Sequence, residues 1–415
     1  YDDSTKNYVL AMTSNAGSST KCRAWFSYDS QVAFIVSYRN TTGIEPYYTY
    51  QTMGAGNAGT AYIGDFSGYL TIAKNLVSYS STVNPVSLDL VYNSSYAAKY
   101  DDTNYDTGGW FGLNMHLGAG VTLSYLQQME SVKLQNDFNE NNTSTYLKYT
   151  DGDGTIHYFS KDKNGVYRDE DGLGLKVTLD GGEDYTVSDD NGNQMIFKNS
   201  YLVRLRDANG NEIQIRYAKK DGTTLENYYP GNRYTDYRLT QIVQKNAGGS
   251  EITAATLSYS GSGWLQTVTD AAGTEYSIHY NDDHRLTEIL KGDDIIAQYG
   301  PATRIPYFYD AEAHYGVAFT YSANKISSYY EITEPSTGNQ PGAIVEIDRN
   351  ANGQTIYRDY GADRAKSDDD ILTYYTFDYA GRSVNAYTTD ANHTLHGATN
   401  AVYSGIGSTD KANNR

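Results

Sequence analysis

Asp207-Ala208-Asn209-Gly210-Asn211-Glu212-Ile213-Gln214-Ile215-Arg216-Tyr217 is the stretch on which the reading of the fold turns. Its opening is turn chemistry: an Asx side chain bonds the backbone two residues on, and glycine supplies positive φ. The residues after the turn alternate. Ile213, Ile215 and Tyr217 share one face of an extended chain, and Glu212, Gln214 and Arg216 share the other. Just upstream, Val203 and Leu205 alternate with Arg204 and Arg206. Two alternating runs joined by Asp and Gly predict a β-hairpin.

The phrase recurs. Asp270-Ala271-Ala272-Gly273-Thr274-Glu275-Tyr276 and Asn350-Ala351-Asn352-Gly353-Gln354-Thr355-Ile356 are copies, and a tyrosine follows ten residues after each Asx, at Tyr217, Tyr280 and Tyr360. Two copies lead into a shared second phrase, Arg238-Leu239-Thr240-Gln241-Ile242 and Arg285-Leu286-Thr287-Glu288-Ile289. Looser relatives start at Asp151, Asp162, Asp189 and Asp378. The gap from turn to Arg-Leu-Thr is 31 residues in one copy and 15 in the other. A strict solenoid holds its period better, so the pattern predicts degenerate hairpins in one winding sheet. Helical periodicity is nearly absent; its best candidate, Val121 to Val132, fits β alternation equally well over its first half.

Composition bounds the function. Apolar types make up 39% of 415 residues, but 43 tyrosines supply much of that, so a thick aliphatic core of the doubly wound or barrel-enzyme kind is not expected. With 32 basic and 50 acidic residues the net charge of −18 is the wrong field for a nucleic-acid partner. The longest purely apolar run, Val32 to Val36, is five residues, too short for a membrane span. Cys22 is the single cysteine, which makes no intrachain disulfide and no thiolate cluster. Abundant Tyr, Thr, Ser, Asn and Gly with scarce Cys suits a bacterial protein that is secreted or attached to the cell wall, and the start at Tyr1 reads as a mature or excised piece. The sequons at Asn40, Asn93, Asn142 and Asn392 are short enough to arise by chance in so Asn-rich a chain.

Tyr375-Thr376-Phe377-Asp378-Tyr379-Ala380-Gly381-Arg382 resembles the YD repeat of the Rhs family, Tyr-x-Tyr-Asp-x-x-Gly-Arg followed by an apolar residue. Here Phe377 replaces the second tyrosine and Ser383 the apolar residue. Tyr280-Asn281-Asp282-Asp283-His284-Arg285-Leu286 is a second match, with Asn for Asp and His for Gly. Asn84-Pro85-Val86-Ser87-Leu88-Asp89-Leu90-Val91-Tyr92-Asn93, Gly109-Trp110-Phe111-Gly112-Leu113-Asn114 and the run from Tyr146 to Phe159 resemble the segment preceding those repeats in Gram-positive wall-associated members of polymorphic-toxin type. The likeness covers roughly residues 43 to 400. It implies a long β-sheet that spirals into a hollow shell around a C-terminal toxin, as in the related Tc-toxin components and teneurins. No Asp-Pro dipeptide occurs, so the self-cleaving segment that closes such shells is missing and the chain reads as the opening part of a shell.

The expected fold is therefore all-β. Residues 1–42 read as the last strands of a preceding β-sandwich-like module, 43–149 as a β-rich lead-in to the shell, 150–400 as degenerate YD repeats and 401–415 as a polar tail. Gly54 to Gly59 is the expected flexible stretch between the parts. Asp207, Gly210, Asp270, Gly273, Asn350, Gly353, Asp378 and Gly381 are the expected structural turn residues.

Catalytic and metal sites are not expected, nor any cofactor. Asp151 to Gly154 begins like a calcium loop, but Thr155 and Ile156 stand where such a loop needs a ligand and then glycine; the Gly of Asp162-Lys163-Asn164-Gly165 is misplaced similarly. These side chains, and Asp169-Glu170-Asp171, read as solvated turn residues. No carboxylate sits in an apolar run that would raise its pKa, which ranks a glycoside hydrolase third. His116, His157, His279, His284, His314, His393 and His396 fit neither His-Glu-x-x-His nor a Cys/His finger. No Gly-x-Ser-x-Gly elbow or phosphate loop occurs. Tyrosine has wider reach. Tyr47, Tyr48 and Tyr50, Tyr228 and Tyr229, or Tyr374 and Tyr375 suit a platform for sugar rings, yet their recurrence at repeat positions favours a frame of half-buried rings. The leading expectation is a non-enzymatic casing whose partners are the rest of the shell and a C-terminal effector; a glycan-binding, adhesin-like module that takes a cell-surface glycan is the second.

Overall fold

A computed structural model describes residues 23–28, 32–37, 43–80, 84–97, 117–135, 143–170, 172–228, 237–336, 344–350, 353–378 and 381–401. Cys22, Tyr229 and the Gly109 to Asn114 motif lie outside the described residues. The chain is all-β, dominated by one long winding sheet of 23 strands among the described residues, from Gln128–Gln135 to Leu395–Asn400. Each strand runs antiparallel to the one before it, in chain order. The sheet meets itself where Gln128, on its first strand, pairs with Tyr201, on the strand Tyr201–Arg206. The Met129 N–H donates to the Ser200 carbonyl at 2.9 Å and the Leu202 N–H to the Gln127 carbonyl at 3.1 Å. From that seam the sheet continues through Glu212–Lys219 to its last strand.

The opening motif explains the connections. Asp207 N–H donates to the Asn211 carbonyl and Gly210 N–H to the Asp207 carbonyl, with Gly210 at φ 86°. Asp207 Oδ1 accepts from the N–H groups of Asn209 (2.9 Å) and Asn211 (2.8 Å). This is a tight turn followed by one left-handed residue, held by its own Asx side chain. The same closing bonds recur at Asp270/Gly273, Asn350/Gly353 and Asp378/Gly381, where the glycines sit at φ 84°, 74° and 85°. Two copies put histidine in the left-handed position, His284 at φ 60° and His393 at φ 65°.

A second device bends the strands. The register slips between Arg216 and Tyr217, Ser258 and Tyr259, His279 and Tyr280, and Thr320 and Tyr321, immediately before a tyrosine each time. A bulge adds local twist and re-aims the next side chain. Three of those tyrosines turn inward and donate to a main-chain carbonyl of the preceding strand or the loop leading into it: Tyr217 to Leu202 (2.9 Å), Tyr259 to Leu239 (2.8 Å) and Tyr321 to Ile305 (2.8 Å). Their bulk supplies core volume in a chain poor in aliphatics; Tyr92, Tyr201 and Tyr217 are among the largest fully buried side chains. Tyr360 differs: it lies beyond the end of its strand and precedes the short helical turn Gly361–Asp363.

The winding sheet packs on a second, five-stranded antiparallel sheet of Tyr50–Gly54, Thr60–Gly64, Leu70–Tyr79, Val86–Asn93 and Val121–Leu123. Leu70, Ile72, Leu88, Leu90 and Leu123 of this inner sheet join Phe159, Phe197, Ile215, Leu239, Ile289 and Phe308 of the winding sheet in one hydrophobic cluster. Polar bonds tie the two along their length: Gln244 Nε2 to the Asn84 carbonyl (2.7 Å), Tyr299 hydroxyl to the Ala58 carbonyl (2.9 Å), Ile326 N–H to the Gly68 carbonyl (2.9 Å) and Thr355 hydroxyl to the Asp65 carbonyl (2.6 Å). Gly54 to Gly59 is not the flexible joint expected. It is a turn inside the inner sheet, with Ala55 and Ala58 fully buried and the Asn57 N–H bonded to Asp310 Oδ2 at 2.6 Å. Glycine richness there serves close approach, since a Cβ on Gly59 would lie 2.5 Å from the Ala73 carbonyl oxygen. Arg23–Tyr28 and Val32–Ser37 form a separate two-stranded pair.

Candidate functional site

The chain places its most unusual chemistry where the lead-in residues 43–50 cross the hairpin joining Thr143–Thr150 to Ile156–Lys161. That hairpin is another copy of the Asx turn. Asp151 N–H donates to the Thr155 carbonyl, Gly154 sits at φ 93°, and Asp151 Oδ1 accepts from the N–H groups of Asp153 (3.1 Å) and Thr155 (2.9 Å). The turns at Asp207 and Asp270 are largely open to solvent; this one, like the Asp378 turn, is covered. Asp153 Oδ2 accepts the Ile44 N–H at 2.8 Å, and Asp153 Oδ1 accepts the Thr155 hydroxyl at 2.7 Å. Gly43 is required at the crossing, because a Cβ there would lie 2.0 Å from Asp153 Oδ1. Asn93 Nδ2 and the Tyr96 hydroxyl bond the Asp153 and Gly154 carbonyls, at 3.0 and 2.9 Å. Asn93 itself is fully buried, so its sequon has no room for a glycan in this fold.

His157 is the hub. Its Nε2 lies 3.1 Å from Glu45 Oε1 and 3.5 Å from Asp151 Oδ2, with Glu45 6% and His157 2% exposed. Tyr149 stacks along the ring at 5.5 Å, and the Tyr50 hydroxyl accepts the Glu45 N–H at 2.7 Å while donating to the Gly43 carbonyl at 3.0 Å. Burial alone would push His157 down, but its hydrogen bonds to Asp151 and Glu45 outweigh that and raise it to about 10. Burial raises Glu45, and burial with the neighbouring Asp151 charge raises Asp153 well above the usual carboxylate range. Asp151 moves the other way, because the His157 bond outweighs its desolvation. The ligand atoms of Glu45, Asp151 and His157 all lie within 4.8 Å of one another. Two sequence expectations change here. Carboxylates with raised pKa do exist, Asp65 being another, and three of the expected solvated turn residues are engaged instead: Asp151 with His157, Asp153 with Ile44, and the buried Asp169 with the N–H groups of Leu173 and Leu175.

A signal for this cluster stood in the sequence. Counting six residues from the Asx, His157 takes the position held by Ile213, Tyr276 and Ile356 in the other copies. An imidazole in an apolar register slot needs a polar partner. Glu45 carries no comparable signal, since only the fold brings it across to the hairpin.

The tyrosines proposed as a platform fall in different settings. Tyr47 and Tyr48 pack edge to face at 4.7 Å, and Tyr50 is engaged at the junction. Tyr228 is 43% exposed, with the Arg216 guanidinium 4.5 Å from its ring centre. Tyr374 stacks on Tyr387 at 4.5 Å, and Tyr375 packs on Tyr357 at 5.8 Å. Of the repeat tyrosines, Tyr217 is buried to 1% exposure, Tyr280 packs on Trp264 at 5.1 Å, and Tyr360 is 9% exposed, burial pushing its hydroxyl up to about 12.

No protein-family model matches the chain, and no curated protein matches it either. Among solved structures it is similar to a crystal structure of TcdB2-TccC3-TEV, at 9% identity and TM-score 0.22 over 92% of this chain and 25% of that one. It is also similar to TcdB2-TccC3, at 12% identity and TM-score 0.24 over 87% of this chain and 17% of that one. The Photorhabdus luminescens Tc holotoxin pore with a TccC3 mutation matches at 10% identity and TM-score 0.24, over 87% of this chain and 16% of that one. The chain spans a quarter or less of the length of each. At TM-scores this low the likeness adds no weight to the fold already described.

Proposed function

We propose that the chain is a wall segment of a non-enzymatic protein casing, part of a larger secreted or cell-wall-associated polypeptide of Rhs type that encloses or presents a C-terminal effector. The observation that carries this reading is the winding sheet: antiparallel strands in unbroken chain order that seal at Gln128 and Tyr201 and then keep going. Its Asx turns repeat one geometry with little change in bonding, which suits a wall built by adding hairpins. The YD-like phrases at Tyr280 and Tyr375 support the same assignment by resemblance. On this reading 43–149 supplies the inner sheet and the first two strands of the wall, 150–400 supplies the rest of the wall, and the buried tyrosines form a frame and not a glycan platform.

The test is protection. A reporter with a single protease site, fused behind residue 415 together with the natural downstream sequence, should resist cleavage at concentrations that cut the free reporter completely. Cleavage at the same rate in both would defeat the casing reading.

A further inference from the structure

The junction at His157 brings carboxylate oxygens from two distant segments to one imidazole nitrogen. Two carboxylates, Glu45 and Asp151, face that nitrogen, with Glu45 and His157 both buried. Asp153 has both oxygens committed, to Ile44 and Thr155. Asp151 has one oxygen fixed by the N–H groups of its turn, so the other is held facing His157 Nε2. Glu45 Oε1 faces the same nitrogen from the lead-in segment. The His157 Nε2 separations of 3.1 and 3.5 Å bracket the ligand-to-ligand edge of a tetrahedral zinc site, which is about 3.3 Å for bonds of about 2.0–2.1 Å.

We propose that Glu45, Asp151 and His157 form a binding site for a zinc-type divalent transition-metal ion that fastens the lead-in segment to the first covered hairpin. One imidazole and two carboxylates give three protein ligands, with a water or the second Glu45 oxygen as the fourth. The mixed nitrogen and oxygen set selects against calcium, which takes six to eight oxygens. The ion would replace the proton on Nε2 and take up the Glu45 and Asp151 oxygens that face that nitrogen. Tyr149 against the ring and the Asp151 turn bonds hold two ligands in place before the ion arrives. The bond would join segments 109 residues apart, the Ile44 to Asp153 separation. This holds whether or not the winding sheet serves as a casing.

The test starts from chelator-treated protein and titrates zinc chloride by calorimetry, with melting followed in parallel. One zinc per chain and a higher melting temperature are expected, with no response to calcium. Glu45→Gln and His157→Gln should each weaken zinc binding at least tenfold. A control with His279→Ala and His396→Ala, whose rings lie 3.7 and 3.6 Å from surface carboxylates, should bind as the parent does. Cobalt(II) in the parent protein should give the visible absorption of a tetrahedral site, a readout that requires no variant to fold. Absence of stoichiometric zinc binding, full affinity in Glu45→Gln, loss of binding in the surface control, or an octahedral cobalt spectrum would each overturn the proposal.

Discussion

Replacing turn glycines by alanine separates conformational strain from packing, because the turns share a backbone and differ in surroundings. Gly273 and Gly353 sit at φ 84° and 74°, and a Cβ on either would meet nothing within 4 Å. Each Gly→Ala change should therefore cost only the left-handed penalty, about 1–2 kcal/mol. Gly381 has φ 85° and the same turn bonds, but its Cβ would lie 2.6 Å from a ring carbon of Phe66. That ring reaches across from the inner sheet and packs edge-on against Phe377 at 5.3 Å. It must swing away, and losing the aromatic contact adds about 0.5–1.5 kcal/mol. Entropy of unfolding scales with length, so in a chain this long 1 kcal/mol moves the melting temperature by only about 1 °C. Chemical denaturation is the better assay, with each variant measured again in a Phe66→Ala background. Gly381→Ala should exceed Gly273→Ala in the parent and match it once Phe66 is gone. Equal costs in the parent, or an excess that survives Phe66→Ala, would refute the reasoning.

Other outcomes rest on single contacts. Tyr217→Phe deletes a buried hydroxyl bonded to the Leu202 carbonyl and should cost about 1–3 kcal/mol in denaturant unfolding. Asp310→Ala strands the N–H groups of Asn57, Glu312 and Ala313 and should cost at least about 2 kcal/mol by the same measure, whereas Glu275→Ala on the exposed face should stay within about 0.5 kcal/mol. Burial raises Asp65 above its unfolded value of 3.8, so the folded state takes up its proton first and gains stability as pH falls through the folded pKa. That gain is lost as pH rises, so the stability of the parent relative to Asp65→Asn should grow on acidification. A difference that grows toward neutral pH instead would contradict the burial assigned to Asp65.

The wall was legible because its signals are local. Asx-x-x-Gly between alternating runs is complete within a dozen residues, and Asp207 to Tyr217 carries turn, faces and register together. The inner sheet was harder to read, because its two longest strands, Leu70–Tyr79 and Val86–Asn93, are largely covered on both sides and lose much of the alternation. Gly54 to Gly59 was misread for a related reason. Glycine that permits close backbone contact and glycine that permits motion look the same in a sequence, and only the neighbouring Ala73 backbone tells them apart. The junction was half legible. His157 breaks the apolar register of its repeat, but nothing near Glu45 in sequence points to a residue more than a hundred positions away.

The ties between the two sheets also set a count. Bonds from the inner sheet and its loops reach the wall at Asp153, Gln244, Tyr299, Asp310, Ile326 and Thr355, spaced along it over some two hundred residues. The inner sheet thus works as a jig: it fixes how many strands the wall lays down between one anchorage and the next. A free-standing repeat array tolerates gain or loss of a unit, since each unit touches only its neighbours. Here a hairpin removed between Gln244 and Tyr299 would throw every later anchorage out of phase. The jig also precedes the wall in the chain, so during synthesis it is available before the strands it measures.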